Sequence, residues 1–238
     1  MKPALGIAFG VCAAAARSVR IIEGNDVLET ENAPYMVSLQ YKGGGKFCGG
    51  SILSDKYVMS AAHCNIGNEV QMVMGSTRDD KPFYYVLTDQ FLSHPNYGVE
   101  YFDFDFAVLR AAPSTRIDLT SFPSAVAPIK LAEPMEYEFP DGTTFFETGF
   151  GRTNPGGYDG KPLQYGYYKA ISIRECRTFW GPYAGGSRQQ CAFGMVGQQD
   201  AWSKDCTSLE GWNKKDYSQG YLFFPLRLRI FCQNHKFL

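Results

Sequence analysis

The chain has 238 residues, of which 45% are hydrophobic and 20% are charged, a composition typical of a folded protein rather than a disordered or collagen-like one. Its 23 Lys and Arg residues nearly balance its 24 Asp and Glu residues, giving a net charge of -1. Because no positive field surrounds such a chain, we expect it to bind neither nucleic acid nor an anionic membrane. The length allows one large all-β unit or two domains.

The N-terminus carries an uncharged apolar stretch, Pro3 to Ala16, which is shorter than the ~20 residues needed to cross a bilayer. Lys2 precedes it, and the small residues from Ala13 onward supply an A-x-A cleavage site. Residues 1–16 are therefore predicted to be a secretory signal, and the protein to be secreted and extracellular. The alternative is an apolar N-terminus without a targeting role.

The seven cysteines stand at positions 12, 48, 64, 176, 191, 206 and 232. Removal of Cys12 with the signal leaves six, and an even number in an oxidising compartment indicates disulfides. No C-x-x-C spacing points to zinc, and we expect no metal and no cofactor. Six cysteines allow about fifteen pairings, so the count leaves the connectivity open.

Short runs of β-branched and aromatic residues, separated by turn residues, predict strands along the chain. No segment longer than a turn or two shows helical spacing, so the pattern is that of an all-β barrel or sandwich. The proline-containing stretch from Ala111 to Glu136 is interpreted as a connector between two halves. The predicted strands are Met36–Tyr41, Gly50–Leu53, Glu69–Met74, Phe83–Leu87, Phe106–Leu109 and Leu222–Cys232. The last of these has a basic face, which we attribute to a solvent-exposed edge of the sheet.

Two residues stand out as candidates for chemistry. His63 lies in a turn of small residues directly after a strand, and Asp105 stands at the start of an apolar strand. Taken singly, a histidine is most often a satisfied core or surface residue, and an aspartate before a strand is most often a turn former. Their flanking sequences, taken in order, are far more specific.

Four motifs occur in sequence: Gly49-Gly50-Ser51-Ile52-Leu53, Ala61-Ala62-His63-Cys64, Asp105-Phe106-Ala107-Val108-Leu109 and Thr148-Gly149-Phe150-Gly151. From about Arg20 to Asp200 the whole resembles the trypsin/chymotrypsin-like serine endopeptidase family. The resemblance implies an all-β fold with two six-stranded antiparallel β-barrels, the second one incomplete. It divides a peptidase domain of residues 21–238 into 21–122 and 123–238.

By this resemblance His63 is the general base and Asp105 the buried group that holds its tautomer. Arg20-Ile21-Ile22-Glu23-Gly24 resembles a zymogen cleavage site, which makes residues 17–20 a propeptide and Ile21 the new N-terminus.

The resemblance also implies disulfides Cys48–Cys64 and Cys176–Cys191. The remaining Cys206 and Cys232 either pair with each other or stay free.

The family's nucleophile motif, Gly-Asp-Ser-Gly-Gly-Pro, does not occur in this chain. When the family's sequence is aligned to this chain without gaps, which we call the ungapped register, Cys206 falls at the nucleophile position. Asp205 then falls at the aspartate that receives the Ile21 ammonium. Asp200 then lies at the base of the primary substrate pocket, which implies selection of Arg or Lys.

Against this register, Lys204, Thr207 and Ser208 carry side chains where the family's backbone must approach closely. A second register matches Cys206 to a structural cysteine, but it places Glu210 at the nucleophile position.

Two explanations for the sequence after Ala201 remain open. The chain is a pseudoprotease that keeps the scaffold for binding or regulation, or the tail reflects an altered reading frame, a retained intron or a gene-model error in an active peptidase. The abruptness of the change favours the second explanation.

The family resemblance implies protein or peptide substrates, an activating protease, protease inhibitors as partners, and a monomer. A function from another class is a secreted β-sandwich binding module, against which the ordered His63 and Asp105 motifs argue.

Overall fold

The computed structural model describes residues 25–27, 33–67, 69–78, 83–98, 104–131, 139–150, 162–180, 189–194 and 221–225. Within these residues most of the regular secondary structure is strand. In chain order the strands are β1 (Asn25–Asp26), β2 (Met36–Tyr41), β3 (Lys46–Ile52), β4 (Tyr57–Ser60), β5 (Val70–Met74), β6 (Tyr84–Ser93), β7 (Ala107–Ala111), β8 (Thr144–Gly149), β9 (Gln164–Ile171), β10 (Gln189–Gly194) and β11 (Tyr221–Pro225).

Six of these strands close into an antiparallel barrel in the order β2-β3-β4-β7-β6-β5. Closure pairs every strand on both sides, which removes the exposed edges of an open sheet. Alternate residues of β7 point inward, so Ala107, Leu109 and Ala111 are buried while the residues between them are partly exposed. The barrel is filled by side chains such as Val37, Leu39, Ile52, Val58, Met72, Met74, Val86 and Leu109.

The other described strands form a second antiparallel sheet around β9. One edge of β9 pairs with β8 along its length, and the opposite edge pairs first with β1 and then with β10. The last described strand, β11, pairs with β10. Strand β1 therefore joins the second sheet although it precedes the barrel in the sequence.

A second apolar cluster joins the barrel to this sheet. It contains Val27, Tyr35, Met36, Phe150 and Leu163, all nearly or fully buried. Within this region the Tyr35 hydroxyl lies 3.3 Å from Thr148 Oγ1 of β8, a hydrogen bond between residues from the two sides.

The predicted all-β, two-barrel class is confirmed as a closed six-stranded barrel beside a second, partial sheet. The described residues include one α-helix, α1 (Ile173–Trp180), about two turns long. Ser172 caps it, because its Oγ accepts the Glu175 backbone N–H at 3.1 Å. The connector described from residue 112 to 131 contains no strand. No helix in the described part of the chain is long and apolar enough to span a membrane.

Candidate active site

His63 is carried by a short 3-10 helix, Ala62–Cys64, that begins just after β4. Ala61 between them is extended, and the 3-10 turn that follows it ends the run of strand β4. At the end of β4, Ser60 Oγ donates to the Gly49 carbonyl at 2.6 Å and ties the start of the turn to β3. The small residues Ala61 and Ala62 form this tight connection between β4 and His63.

A disulfide fixes the other side of the His63 turn. Cys48 of β3 and Cys64 are bonded, with Cα atoms 6.1 Å apart, and both are buried. The close approach of β3 and β4 beneath this bond requires Gly50. A Cβ atom there would lie 2.6 Å from the Met59 carbonyl oxygen.

Asp105 lies two residues before β7, at the entrance to the strand. The Phe106 N–H donates to the Phe104 carbonyl at 2.7 Å, which closes a γ-turn with Asp105 at its centre. Phe104 adopts a φ of 56° and is the one non-glycine residue with positive φ in the described part of the chain. Asp105 is therefore held by a tight local turn and is 8% exposed.

The two candidate residues meet through two hydrogen bonds. His63 Nδ1 lies 2.7 Å from Asp105 Oδ2, and the His63 backbone N–H donates to Asp105 Oδ1 at 2.8 Å. Both side chains are largely buried, with 15% of His63 and 7% of Asp105 exposed. The carboxylate thus fixes both the backbone and the ring of the histidine.

This geometry sets the tautomer of His63. A carboxylate only accepts hydrogen bonds, so the ring proton belongs on Nδ1 and the Nε2 lone pair is free to act as a base. Nε2 is buried and has no hydrogen-bond partner among the residues that the structure describes. An imidazole oriented in this way can accept a proton from a hydroxyl or thiol placed at Nε2.

Asp105 also affects a neighbouring phenol. Burial, and then the negative charge of Asp105, raise the pKa of Tyr97 above its usual value.

Cys48, His63 and Cys64 place their potential ligand atoms within 4.8 Å of one another. Because the two sulfurs are bonded to each other, neither is a thiolate that could bind a metal. The group is the disulfide that supports His63.

Several residues predicted for the site lie outside the described part of the chain. These are Arg20 and Ile21 of the cleavage site, Asp200 of the pocket, Asp205 and the register nucleophile Cys206. Their predicted roles stay predictions.

The predicted pair Cys176 and Cys191 falls in α1 and β10. The structure describes the backbone of both residues and not their side chains, so this disulfide also stays a prediction.

The sequence reasoning did not single out Ser60, which anchors the His63 turn, or His94, whose ring packs on Phe104 at 4.5 Å. The order of hydrophobic residues gives no signal for either contact. His94 stands in a His-Pro turn that the sequence marks only as a break between strands.

Comparison with known families matches residues 21–205 to the model of the trypsin family. Trypsin 5G1 of Aedes aegypti is 30% identical over 191 residues, which cover 79% of this chain and 69% of the mosquito protein. The chain belongs to the trypsin family of serine proteases.

Two solved structures share the fold. The structure of GrC superposes with a TM-score of 0.67 at 19% identity, over 87% of this chain and 95% of that one. The scabies mite inactivated protease paralogue S-D1 gives a TM-score of 0.70 at 19% identity, over 87% and 92% of the two chains. At this identity the likeness concerns the fold alone.

Proposed function

We propose that the protein is a secreted trypsin-family zymogen in which His63 and Asp105 are the general base and its orienting carboxylate for peptide-bond hydrolysis. We further propose that the chain hydrolyses such bonds at a negligible rate, because it has no serine nucleophile. The observation that carries the first statement is the 2.7 Å contact of His63 Nδ1 with Asp105 Oδ2, which leaves Nε2 unbonded among the described residues.

The pair supplies one half of the chemistry of acyl transfer. His63 Nε2 takes a proton from an attacking hydroxyl or thiol about 2.6–3.2 Å away and later returns it to the leaving amine. Asp105 holds the ring and stabilises the imidazolium that forms in between. These roles are those of the Ser-His-Asp triad of the same protease family, and they come to this chain through its membership.

The other half requires a nucleophile and an oxyanion hole. The chain contains no Gly-Asp-Ser-Gly-Gly segment, and the glycines of that motif let the backbone N–H groups reach the oxyanion. Cys206 occupies the nucleophile position in the ungapped register, between Asp205 and Thr207. In that register Lys204 and Thr207 stand where the family has small residues, and their side chains would crowd the approach to the nucleophile.

The proposed substrate specificity rests on the same ungapped register, and the proposed partners rest on the family to which the chain belongs. Asp200 at the base of the primary pocket selects Arg or Lys side chains by charge pairing. Cleavage after Arg20 by an activating protease frees Ile21, whose ammonium pairs with Asp205. Protein or peptide substrates and protease inhibitors are the partners that fit this site, and the protein acts as a monomer.

A second candidate function is binding or regulation by a catalytically inactive homologue. The missing serine motif is the observation that favours it, since a scaffold with an oriented His63–Asp105 pair and no nucleophile binds peptides without cutting them. The same fold serves an inactivated protease paralogue in the scabies mite.

The zymogen proposal is tested by brief trypsin treatment of the secreted chain, followed by N-terminal sequencing. One early cut that exposes Ile21 is the expected result. A chain whose Arg20-Ile21 bond survives while other bonds are cut contradicts the zymogen proposal. An Arg20→Gln variant serves as the matched control, because it removes the cleavable residue and leaves the rest of the chain unchanged.

The catalytic proposal is tested after cleavage with Arg and Lys esters and amides, and with iodoacetamide. We expect hydrolysis no faster than that of a His63→Ala variant. Rapid alkylation of Cys206 that is lost in His63→Ala, but kept in His235→Ala, would instead establish a cysteine nucleophile activated by His63.

A further inference from the structure

The His94 ring contacts both residues that flank Asp105. It stacks on Phe104 with the centroids 4.5 Å apart and the planes 5° apart. The same ring packs on Phe106 at 4.5 Å with the planes tilted by 55°. The carboxylate of Asp105, the residue between the two phenylalanines, bonds His63 instead. The turn thus presents Phe104 and Phe106 to His94 and the Asp105 carboxylate to His63.

The main chain of His94 is fixed as firmly as its ring. Its N–H donates to the Phe106 carbonyl at 3.0 Å, and its own carbonyl accepts the Tyr97 N–H at 3.0 Å. Its Nδ1 accepts the Asn96 N–H at 3.1 Å. These bonds hold the imidazole in one orientation against the Asp105 turn.

The turn needs such support because of Phe104. A bulky side chain at a φ of 56° is rare, since only glycine, and to a lesser extent Asn and Asp, adopt this region readily. A strained residue of this kind persists where its surroundings hold it in place. The flat contact with His94 is one of the interactions that hold Phe104.

We propose that His94 is a positioning residue for the candidate active site. The His94 ring packs against Phe104 and Phe106 and so fixes the turn between them. This turn orients the Asp105 carboxylate toward the ring and the backbone N–H of His63. His94 acts through Asp105 and does not itself touch the reacting atoms. This inference rests on the proposed role of the His63–Asp105 pair.

The test measures the two hydrogen bonds that Asp105 makes, and it requires no enzymatic activity. The chain contains three histidines, His63, His94 and His235, so histidine-selective ¹⁵N labelling gives a simple NMR spectrum. The proton that His63 Nδ1 shares with Asp105 resonates far downfield of ordinary amides. Hydrogen exchange of the His63 backbone N–H reports the second bond.

Two variants separate the ring of His94 from its acceptor nitrogen. His94→Gln keeps an acceptor for the Asn96 N–H but loses the flat ring, whereas His94→Phe keeps a stacking ring and loses the acceptor. Both change a partly exposed loop residue, so the barrel is expected to fold in each. Phe122→Ala is the matched control, because it removes one ring of a different aromatic pair, Phe83–Phe122.

In His94→Gln we expect the downfield proton to be lost and exchange of the His63 N–H to accelerate about tenfold, as local opening of this turn becomes easier. His94→Phe and Phe122→Ala are expected to keep both signals. A wild-type signal in His94→Gln overturns the inference, and so does a loss in His94→Phe that equals the loss in His94→Gln. Absence of the downfield proton from the wild-type protein itself would overturn the His63–Asp105 pair of the proposed function, and this inference with it.

Discussion

The first barrel is closed, with each strand paired on both sides, whereas the second sheet is open in the described part of the chain, where β1, β8 and β11 each pair on one side only. The barrel alone supplies His63, Asp105 and the Cys48–Cys64 disulfide that supports them. The predicted pocket residue Asp200 and the predicted nucleophile position Cys206 both follow strand β10 of the second sheet in the sequence. The comparison teaches that the closed barrel and the turns flanking its strands are sufficient to bring His63 and Asp105 together.

The largest effects on stability are expected from matched core truncations, one in each region, which should differ in their effect on the His63–Asp105 hydrogen bonds. Leu109→Ala in β7 and Leu163→Ala beside the second sheet remove the same side chain from positions that are 0% and 1% exposed. Each is expected to cost about 2–5 kcal/mol of unfolding free energy. Because β7 carries Asp105 at its entrance, only Leu109→Ala should also weaken the His63–Asp105 hydrogen bonds.

Urea unfolding and histidine NMR of the two variants check this expectation. If both variants lose the downfield His63 Nδ1 proton equally, the His63–Asp105 pair depends on the second sheet as much as on the barrel.

Removal of the disulfide is expected to have the next largest effect. Cys48 and Cys64 are 16 residues apart in sequence, and a cross-link closing a loop of this size stabilises a fold by about 3 kcal/mol on the chain-entropy model. A Cys48→Ala/Cys64→Ala double variant should lose that stability in denaturant unfolding. It should also increase the mobility of the His63 turn. Unchanged stability would contradict the supporting role given to this bond.

A smaller effect is expected at the junction of the two regions. Tyr35→Phe removes the buried hydroxyl that bonds Thr148 Oγ1, at a cost of about 1 kcal/mol. The control Tyr57→Phe changes a tyrosine that is 39% exposed and should stay within about 0.5 kcal/mol of wild type. Equal effects in thermal unfolding would mean that the Tyr35 hydroxyl does not link the barrel to β8.

The smallest effect concerns pH and the outside of the barrel. Arg110 of β7 donates two hydrogen bonds to Asp89 of β6, at 2.9 and 2.7 Å, and these bonds are the main cause that lowers the pKa of Asp89. A depressed pKa in the folded state contributes stability above the unfolded pKa, and this contribution is lost as the pH falls through the folded value.

The difference in Tm between wild type and Asp89→Asn should therefore shrink between about pH 5 and about pH 2. A difference that stays constant or grows as the pH falls would contradict this pairing.

The sequence predicted β2 with its observed bounds, Met36–Tyr41, because its inward positions are apolar. The predictions for β3 and β6 covered only parts of those strands, and β4 was not among the predicted strands. Strand β9 was not predicted, since its buried positions hold Gln164, Gly166, Tyr168 and Ala170, and this set hides the alternation. Helix α1 carried a recognisable signal, Ser172-Ile173-Arg174-Glu175, which has the spacing of a capping box.

The meeting of His63 with Asp105 could be predicted because the motifs around both residues resemble those of the trypsin/chymotrypsin-like family. The positive φ of Phe104 and its contact with His94 could not be predicted, because tertiary packing rather than local preference imposes them. The residue that we infer to aim the site is therefore invisible in the order of residues alone.

The central claim is that an oriented His63–Asp105 pair stands in a chain without a serine nucleophile. The most direct measurement is titration of the chain, after cleavage at Arg20, with a fluorophosphonate, read by intact mass. The account predicts no stoichiometric adduct, with the same absence of adduct in the wild-type and His63→Ala proteins. One label per chain on a serine, absent from His63→Ala, would contradict it.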